Sequence, residues 1–327
     1  MDRPAWKTHA MRSVKAVVAV VVLAAVGRHV YKAWLELQAR GQSIQVKPGW
    51  IVASGLLYLL GLTACGLFFA AVMRSSRSPV STLASVRAYL ISHLGKYVPG
   101  KAMVVVMRVG LVTPYGARAA TAAIATFYET LVMMGAGAII ATLGFGLGTG
   151  ELQRVPILLS PGLALAFLVA VDPSVFPRVS KWIASPFPGV GPEAQPVINR
   201  KLLGFGLVLN AVSWVLLGLS QVAVILAVSS VTLTPGMVAL VTAGVALATV
   251  AGFVVAVLPG GLGVREWVLM TTLAPAVGED TAVVSALALR LTWVAAEVVV
   301  ALILGAIRPG VPGPSSAPPT LVGVNES

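Results

Sequence analysis

Charge and cysteine are what this 327-residue chain has least of. Cys65 is the only cysteine, and it lies inside an apolar run. An intramolecular disulfide and a thiolate metal cluster are therefore both excluded. Only 10% of residues are charged, against about a quarter in an ordinary soluble domain. The three histidines, His9, His29 and His93, are scattered, and the three aspartates, Asp2, Asp172 and Asp280, fall outside the apolar runs. No spacing of His, Cys or carboxylate suits a metal, and no paired-aspartate motif for a metal-bound diphosphate exists. Gly261-x-Gly263 is too short and in the wrong context for a nucleotide loop. No metal and no cofactor are expected.

What is abundant is apolar sequence. The chain is 57% hydrophobic and has a mean hydropathy of +0.93, which reads as an all-α, polytopic helical membrane protein. Lys and Arg outnumber Asp and Glu by 23 to 11, but the basic residues flank apolar runs. They therefore point to membrane orientation and anionic headgroups rather than to nucleic acid.

Along the chain, a basic start (Arg3, Lys7, Arg12, Lys15) precedes the apolar run 16–27. A retained signal anchor running to about Leu37 fits a multi-span protein better than cleavage after Gly27. Further spans are expected over 50–73, 117–145, 155–171 (interrupted at Pro161-Gly162), 202–229, 236–258 and 281–307. This gives seven full spans and two partial elements, or eight spans if one partial element crosses. The first partial element covers 81–112 and is broken at Pro99-Gly100. The second follows Pro259, Gly260, Gly261 and Gly263 and includes the short stretch 267–274, too short to cross a bilayer. Residues 1–308 form a single membrane domain with a proline-rich linker at 172–201. Residues 309–327, rich in Pro, Gly and Ser, are expected to be disordered. The basic loops place the N-terminus and that linker in the cytoplasm.

The two partial elements echo each other. Pro99-Gly100 precedes Arg108 and a span holding Glu129; Pro259-Gly260 precedes Arg265 and a span holding Arg290 and Glu297. Broken helices in corresponding halves point to a transport site or to an internal repeat, although the break-to-carboxylate spacings differ, 30 residues against 38. Lys96, Lys101, Arg108 and Arg265 flank the breaks, where free helix N–H groups and cations together suit a lipid phosphate. Each of them taken alone fits snorkelling to the interface better, and it is their joint placement beside both breaks that raises the lipid-phosphate reading. Glu129, Arg290 and Glu297 are intramembrane charges, each costing at least ~2.5 kcal/mol on insertion scales, and they read as a polar path or gate or as packing pairs. Arg290 with Glu129 and Arg265 with Glu297 are the pairings expected. Glu266 is also suited to capping a new helix start.

The strings Gly95-Lys96-Tyr97-Val98-Pro99-Gly100-Lys101 and Pro259-Gly260-Gly261-Leu262-Gly263-Val264-Arg265-Glu266, with the Glu129 and Arg290–Glu297 spans, resemble the lysylphosphatidylglycerol synthase transmembrane-region family. The resemblance covers most of residues 10–308. It implies a flippase-like protein of the prokaryotic inner membrane that handles an anionic, aminoacylated or polyprenyl-linked lipid. In two-part relatives a soluble domain makes the lipid, and none follows here, so that activity is not carried over. The partners implied are membrane lipids and a separately encoded lipid synthase or glycosyltransferase. Two other functions stay open from the residues: an intramembrane transferase of lipid or polyprenyl-phosphate glycan metabolism, and a non-catalytic partner in a cell-envelope complex.

Overall fold

The computed structural model describes residues 46–76, 78–98, 102–147, 154–184, 195–255 and 263–307, with Arg28 and Leu35. The anchor expected at 16–37, Pro99, Gly100, Lys101, Pro259, Gly260, Gly261 and the tail lie outside the described residues. Ten α-helices and no strands are found among the described residues: α1 (Pro48–Ser75), α2 (Thr82–Ser92), α3 (Ala102–Val112), α4 (Ala119–Leu147), α5 (Arg154–Val171), α6 (Phe176–Ala184), α7 (Arg200–Val228), α8 (Pro235–Val254), α9 (Val264–Val277) and α10 (Glu279–Ala306). A 3₁₀ turn, His93–Tyr97, continues α2.

Local chemistry sets several of these starts. Asn199 accepts a hydrogen bond from the Leu202 N–H (2.8 Å), Thr234 accepts one from Met237, and Ser81 accepts one from Ala84. Such caps satisfy N–H groups that a helix start leaves free. Pro48 and Pro235 sit in the first turns of α1 and α8, where a missing N–H costs nothing. A single residue, Gly278 with φ +84°, joins α9 to α10. That left-handed backbone favours glycine and makes the corner tight.

Five helices, α1, α4, α7, α8 and α10, are long and apolar enough to cross a membrane. Their outer faces agree with that reading. Val52, Leu56 and Leu60 on α1, and Phe205, Val208, Val212 and Val215 on α7, are all exposed and repeat at helical spacing, so each helix offers a continuous apolar stripe to lipid. α5 contributes a shorter apolar stretch, Leu159–Val171. It is one helix through Pro161 rather than two interrupted pieces. Membrane helices tolerate proline because neighbouring groups re-satisfy the freed carbonyl. The expected linker 172–201 is also partly structured, since it contains α6. Pro177 lies in its first turn, and Asp172 accepts hydrogen bonds from the Ser174 N–H (2.8 Å) and hydroxyl just before it. Those two bonds hold the Asp172 carboxyl below its usual range.

Inside, α1 packs along α7, and α4 packs against α5, α7 and α8. Small residues set the closest approaches. A Cβ on Gly218 of α7 would lie 2.2 Å from Thr242 of α8, and one on Gly144 of α4 would lie 2.8 Å from the Ala239 carbonyl oxygen. Polar links cross the same seams. Ser54 and Ser220 share a 2.8 Å hydrogen bond, and the Trp214 indole donates to the Met133 carbonyl at 2.9 Å. The broken elements lie against this frame. α2 and α3 pack on each other, α3 on α4, and α9 between α8 and α10. Arg87 of α2 donates to the Leu304 carbonyl in the last turn of α10 at 2.7 Å, a position where a cation also meets the negative helix end.

Candidate functional site

Two groups of charged residues occupy the interior, one between the first broken element and α4, the other where both broken elements meet α10. The first is closed. Arg108 of α3 and Glu129 of α4 form an ion pair at 3.2 Å, with both side chains at most 2% exposed. The Tyr89 hydroxyl donates to Glu129 Oε1 at 3.1 Å, and Arg108 Nε donates to the Ser92 hydroxyl at 3.0 Å. The guanidinium also lies over the rings of Tyr89 (4.1 Å) and Phe69 (5.0 Å). Arg108 and Glu129 thus hold the first broken element onto α4 from a fully dry position.

The second group is open on one side. Lys96 and Tyr97 of the 3₁₀ turn, Arg265 and Glu266 of α9, and Arg290 and Trp293 of α10 line one cavity. It encloses about 510 Å³ including its open mouth, and Val245, Ala248 and Leu269 supply apolar wall. Lys96 and Tyr97 stand just before the first break; Arg265 and Glu266 stand just after the second. Gly263, with φ +81°, precedes α9. Its N–H donates to Glu266 Oε2 at 2.7 Å, so Glu266 closes the helix start as its position suggested. The other Glu266 oxygen is paired with Arg290.

Glu297 lies behind this cavity and is fully buried. Its Oε1 accepts from Lys96 Nζ at 2.5 Å and from the Tyr58 hydroxyl, with His93 Nε2 3.9 Å away. Its Oε2 is buried with no hydrogen-bond partner among the described residues, which is unusual for a carboxyl oxygen. Trp293 stacks on Tyr58 (centroids 4.3 Å apart, planes at 10°) and donates its indole N–H to Ser220 at 2.9 Å. The Arg265 guanidinium lies over the Trp293 ring, 5.4 Å from its centre, within the range of a cation–π contact.

The structure therefore brings Lys96, Arg265, Arg290 and Glu297 together and sets Arg108 and Glu129 apart. It also corrects the expected pairings. Glu129 pairs with Arg108 rather than Arg290, and Glu297 pairs with Lys96 rather than Arg265. Both carboxylates take cations of the first broken element: α3 packs on α4 and brings Arg108 to Glu129, and the 3₁₀ turn before the break meets α10 and brings Lys96 to Glu297. Tyr58 is a site residue that the sequence reading missed. A tyrosine in the middle of an apolar span was the available signal, because a buried hydroxyl needs a partner. Among the described residues, no group of His, Cys, Asp and Glu could hold a metal ion.

No curated protein matches the chain. Residues 13–305 match the family described as lysylphosphatidylglycerol synthase TM region. With that match over most of its length, a helical frame that spans the membrane and two broken elements meeting at a charged cavity, the chain belongs to the lysylphosphatidylglycerol synthase TM region family.

Proposed function

We propose that this protein translocates a lipid between membrane leaflets, and that the cavity between the 3₁₀ turn, α8, α9 and α10 receives the headgroup. One observation carries the reading: Lys96 and Arg265, which flank the two breaks, line the same cavity, and Arg290 of α10 joins them as a third cation. Lipid phosphate suits that set, because charge-assisted bonds to cations are strong where water is scarce. Acyl chains would stay among the exposed apolar stripes of the spans. In this reading the two broken elements are re-entrant arms of the inner membrane protein. Lys96 has two alternative partners, Glu297 in the resting state and a lipid phosphate in the loaded one, so Glu297 and Lys96 act as a gate. Arg290 and Glu266 brace the cavity wall. Arg108 and Glu129 fix the first element and stand off the lipid path.

The test is a proteoliposome assay in which leaflet exchange of fluorescent phospholipids is followed by quenching from outside. Exchange that depends on the protein and falls at least about tenfold in the Arg265→Ala/Glu297→Gln double variant is expected. Exchange at the wild-type rate in that variant would refute the assigned roles.

A further inference from the structure

We infer that the cavity selects headgroups with a net negative charge on phosphate and turns away headgroups with a net positive charge, and that Arg265 makes the distinction. The inference rests on the proposed headgroup site and names its substrate class. It follows from a census of charge. The ionic side chains lining the cavity are Lys96, Arg265, Glu266 and Arg290. Lys96 is paired with Glu297, and that pair sums to zero whichever of the two holds the proton. Arg290 is paired with Glu266 and also sums to zero. Arg265 remains. Among the described residues no carboxylate lies within ion-pair distance of it, and its contact is the face of Trp293. An arginine stays protonated in any protein setting. Over the described residues the cavity lining is therefore positive by one charge.

A phosphate monoanion cancels that excess and meets a guanidinium whose planar fork fits two phosphate oxygens. Trp293, held by Tyr58 and Ser220, keeps the fork in place beforehand. A headgroup with net positive charge adds a like charge to a partly enclosed site, where screening by water is weak. The aromatic rings do not rescue it. Tyr58 and Trp293 close on each other at 4.3 Å, Arg265 lies over the indole, and Lys96 Nζ already lies 5.1 Å from the centre of the Tyr97 ring, so each of these rings already has a partner.

The experiment uses the full-length protein in nanodiscs. Binding of phosphatidylglycerol, lysyl-phosphatidylglycerol and soluble glycerol phosphate is measured alongside leaflet exchange of the two lipids. Phosphatidylglycerol is expected to bind at least about tenfold tighter than its lysyl ester. R265Q should lose that preference, and R265K should recover part of it by restoring charge without the fork. E266Q removes one negative charge from the lining and raises the cavity charge, so it should tighten phosphatidylglycerol about threefold or more; a misfolded variant cannot gain affinity. Equal or tighter binding of the lysyl lipid, or no gain in E266Q, would overturn the inference. Selective binding without leaflet exchange would overturn the translocase reading and leave charge selection standing. Glycerol phosphate competing as well as the lipid would overturn the lipid as ligand and likewise leave charge selection standing.

Discussion

The Arg108–Glu129 pair offers a quantitative test of how the interior is divided. Replacing Arg108 with Met leaves a carboxylate 1% exposed with hydrogen bonds only from Tyr89 (3.1 Å) and Thr130 (3.4 Å). Breaking a buried pair from one side costs about 3–5 kcal/mol, and those two donors place this case near 3. Glu129→Gln is milder, at about 2 kcal/mol, because Arg108 keeps Ser92 and the rings of Tyr89 and Phe69. R108M/E129Q removes both charges and should fall only ~1–2 kcal/mol below wild type, well short of the sum of the singles. Thermal unfolding followed by tryptophan fluorescence would read these differences at roughly 2–4 °C per kcal/mol, so R108M should lower Tm by about 6–12 °C. Leaflet exchange by the double variant should stay near wild type, since the pair is sealed from the cavity. Additive losses would refute the pair as a coupled unit. A stable double variant that fails to exchange lipid would refute its placement off the path.

Other outcomes follow from the same contacts. K96M/E297Q should recover the stability that K96M loses, about 3 kcal/mol from a stranded Glu297, yet remain inactive in leaflet exchange, the opposite of R108M/E129Q. Gly144→Ala should lower thermal stability by about 1–3 kcal/mol, because its methyl would meet backbone 2.8 Å away; a neutral result would show that α4 and α8 can slide apart freely. The Asp172 carboxyl is held below its usual range, so its hold on the start of α6 is complete above about pH 4, the unfolded value, and fades as pH falls through the lower folded value. Hydrogen exchange at 174–178, corrected for intrinsic rates, should show that loosening in wild type and none in D172N.

The long spans were legible because a run of about 20 apolar residues has few other uses. Expected spans at 50–73, 117–145, 202–229, 236–258 and 281–307 coincide with α1, α4, α7, α8 and α10 to within a few residues at most ends. The largest shift is at the end of α8, where the helix stops at Val254, before the glycines. Helix ends beside the proline and glycine strings were legible too: the 3₁₀ turn ends at Tyr97 and α3 starts at Ala102, and α8 ends at Val254 and α9 starts at Val264. The ion pairs were not, since pairing depends on which helices become neighbours, and hydropathy carries no record of that. α6 was hidden by its prolines: Pro177 reads as a breaker until Asp172 and Ser174 are seen to form a helix start ahead of it. The polar partners of Tyr58 and Trp293, Glu297 for one and Ser220 for the other, were not legible either, because each comes from another helix.

Glu129 and Glu297 look equivalent in sequence, and their surroundings separate them. Translocation needs a polar contact that can open without stranding a charge in the membrane, since a stranded one costs several kcal/mol. Glu129 cannot meet that need. Its cation is buried over the rings of Tyr89 and Phe69 and does not line the cavity, so opening the pair would be uncompensated. Glu297 can. Its cation lines a cavity, an arriving phosphate can take over Lys96, and its unpartnered Oε2 together with the Tyr58 hydroxyl gives the carboxyl other ways to be satisfied. The proposed gate therefore lies where the 3₁₀ turn of the first broken element meets α10, beside the second broken element. Arg108, beyond the break in that first element, anchors the arm on which the gate works.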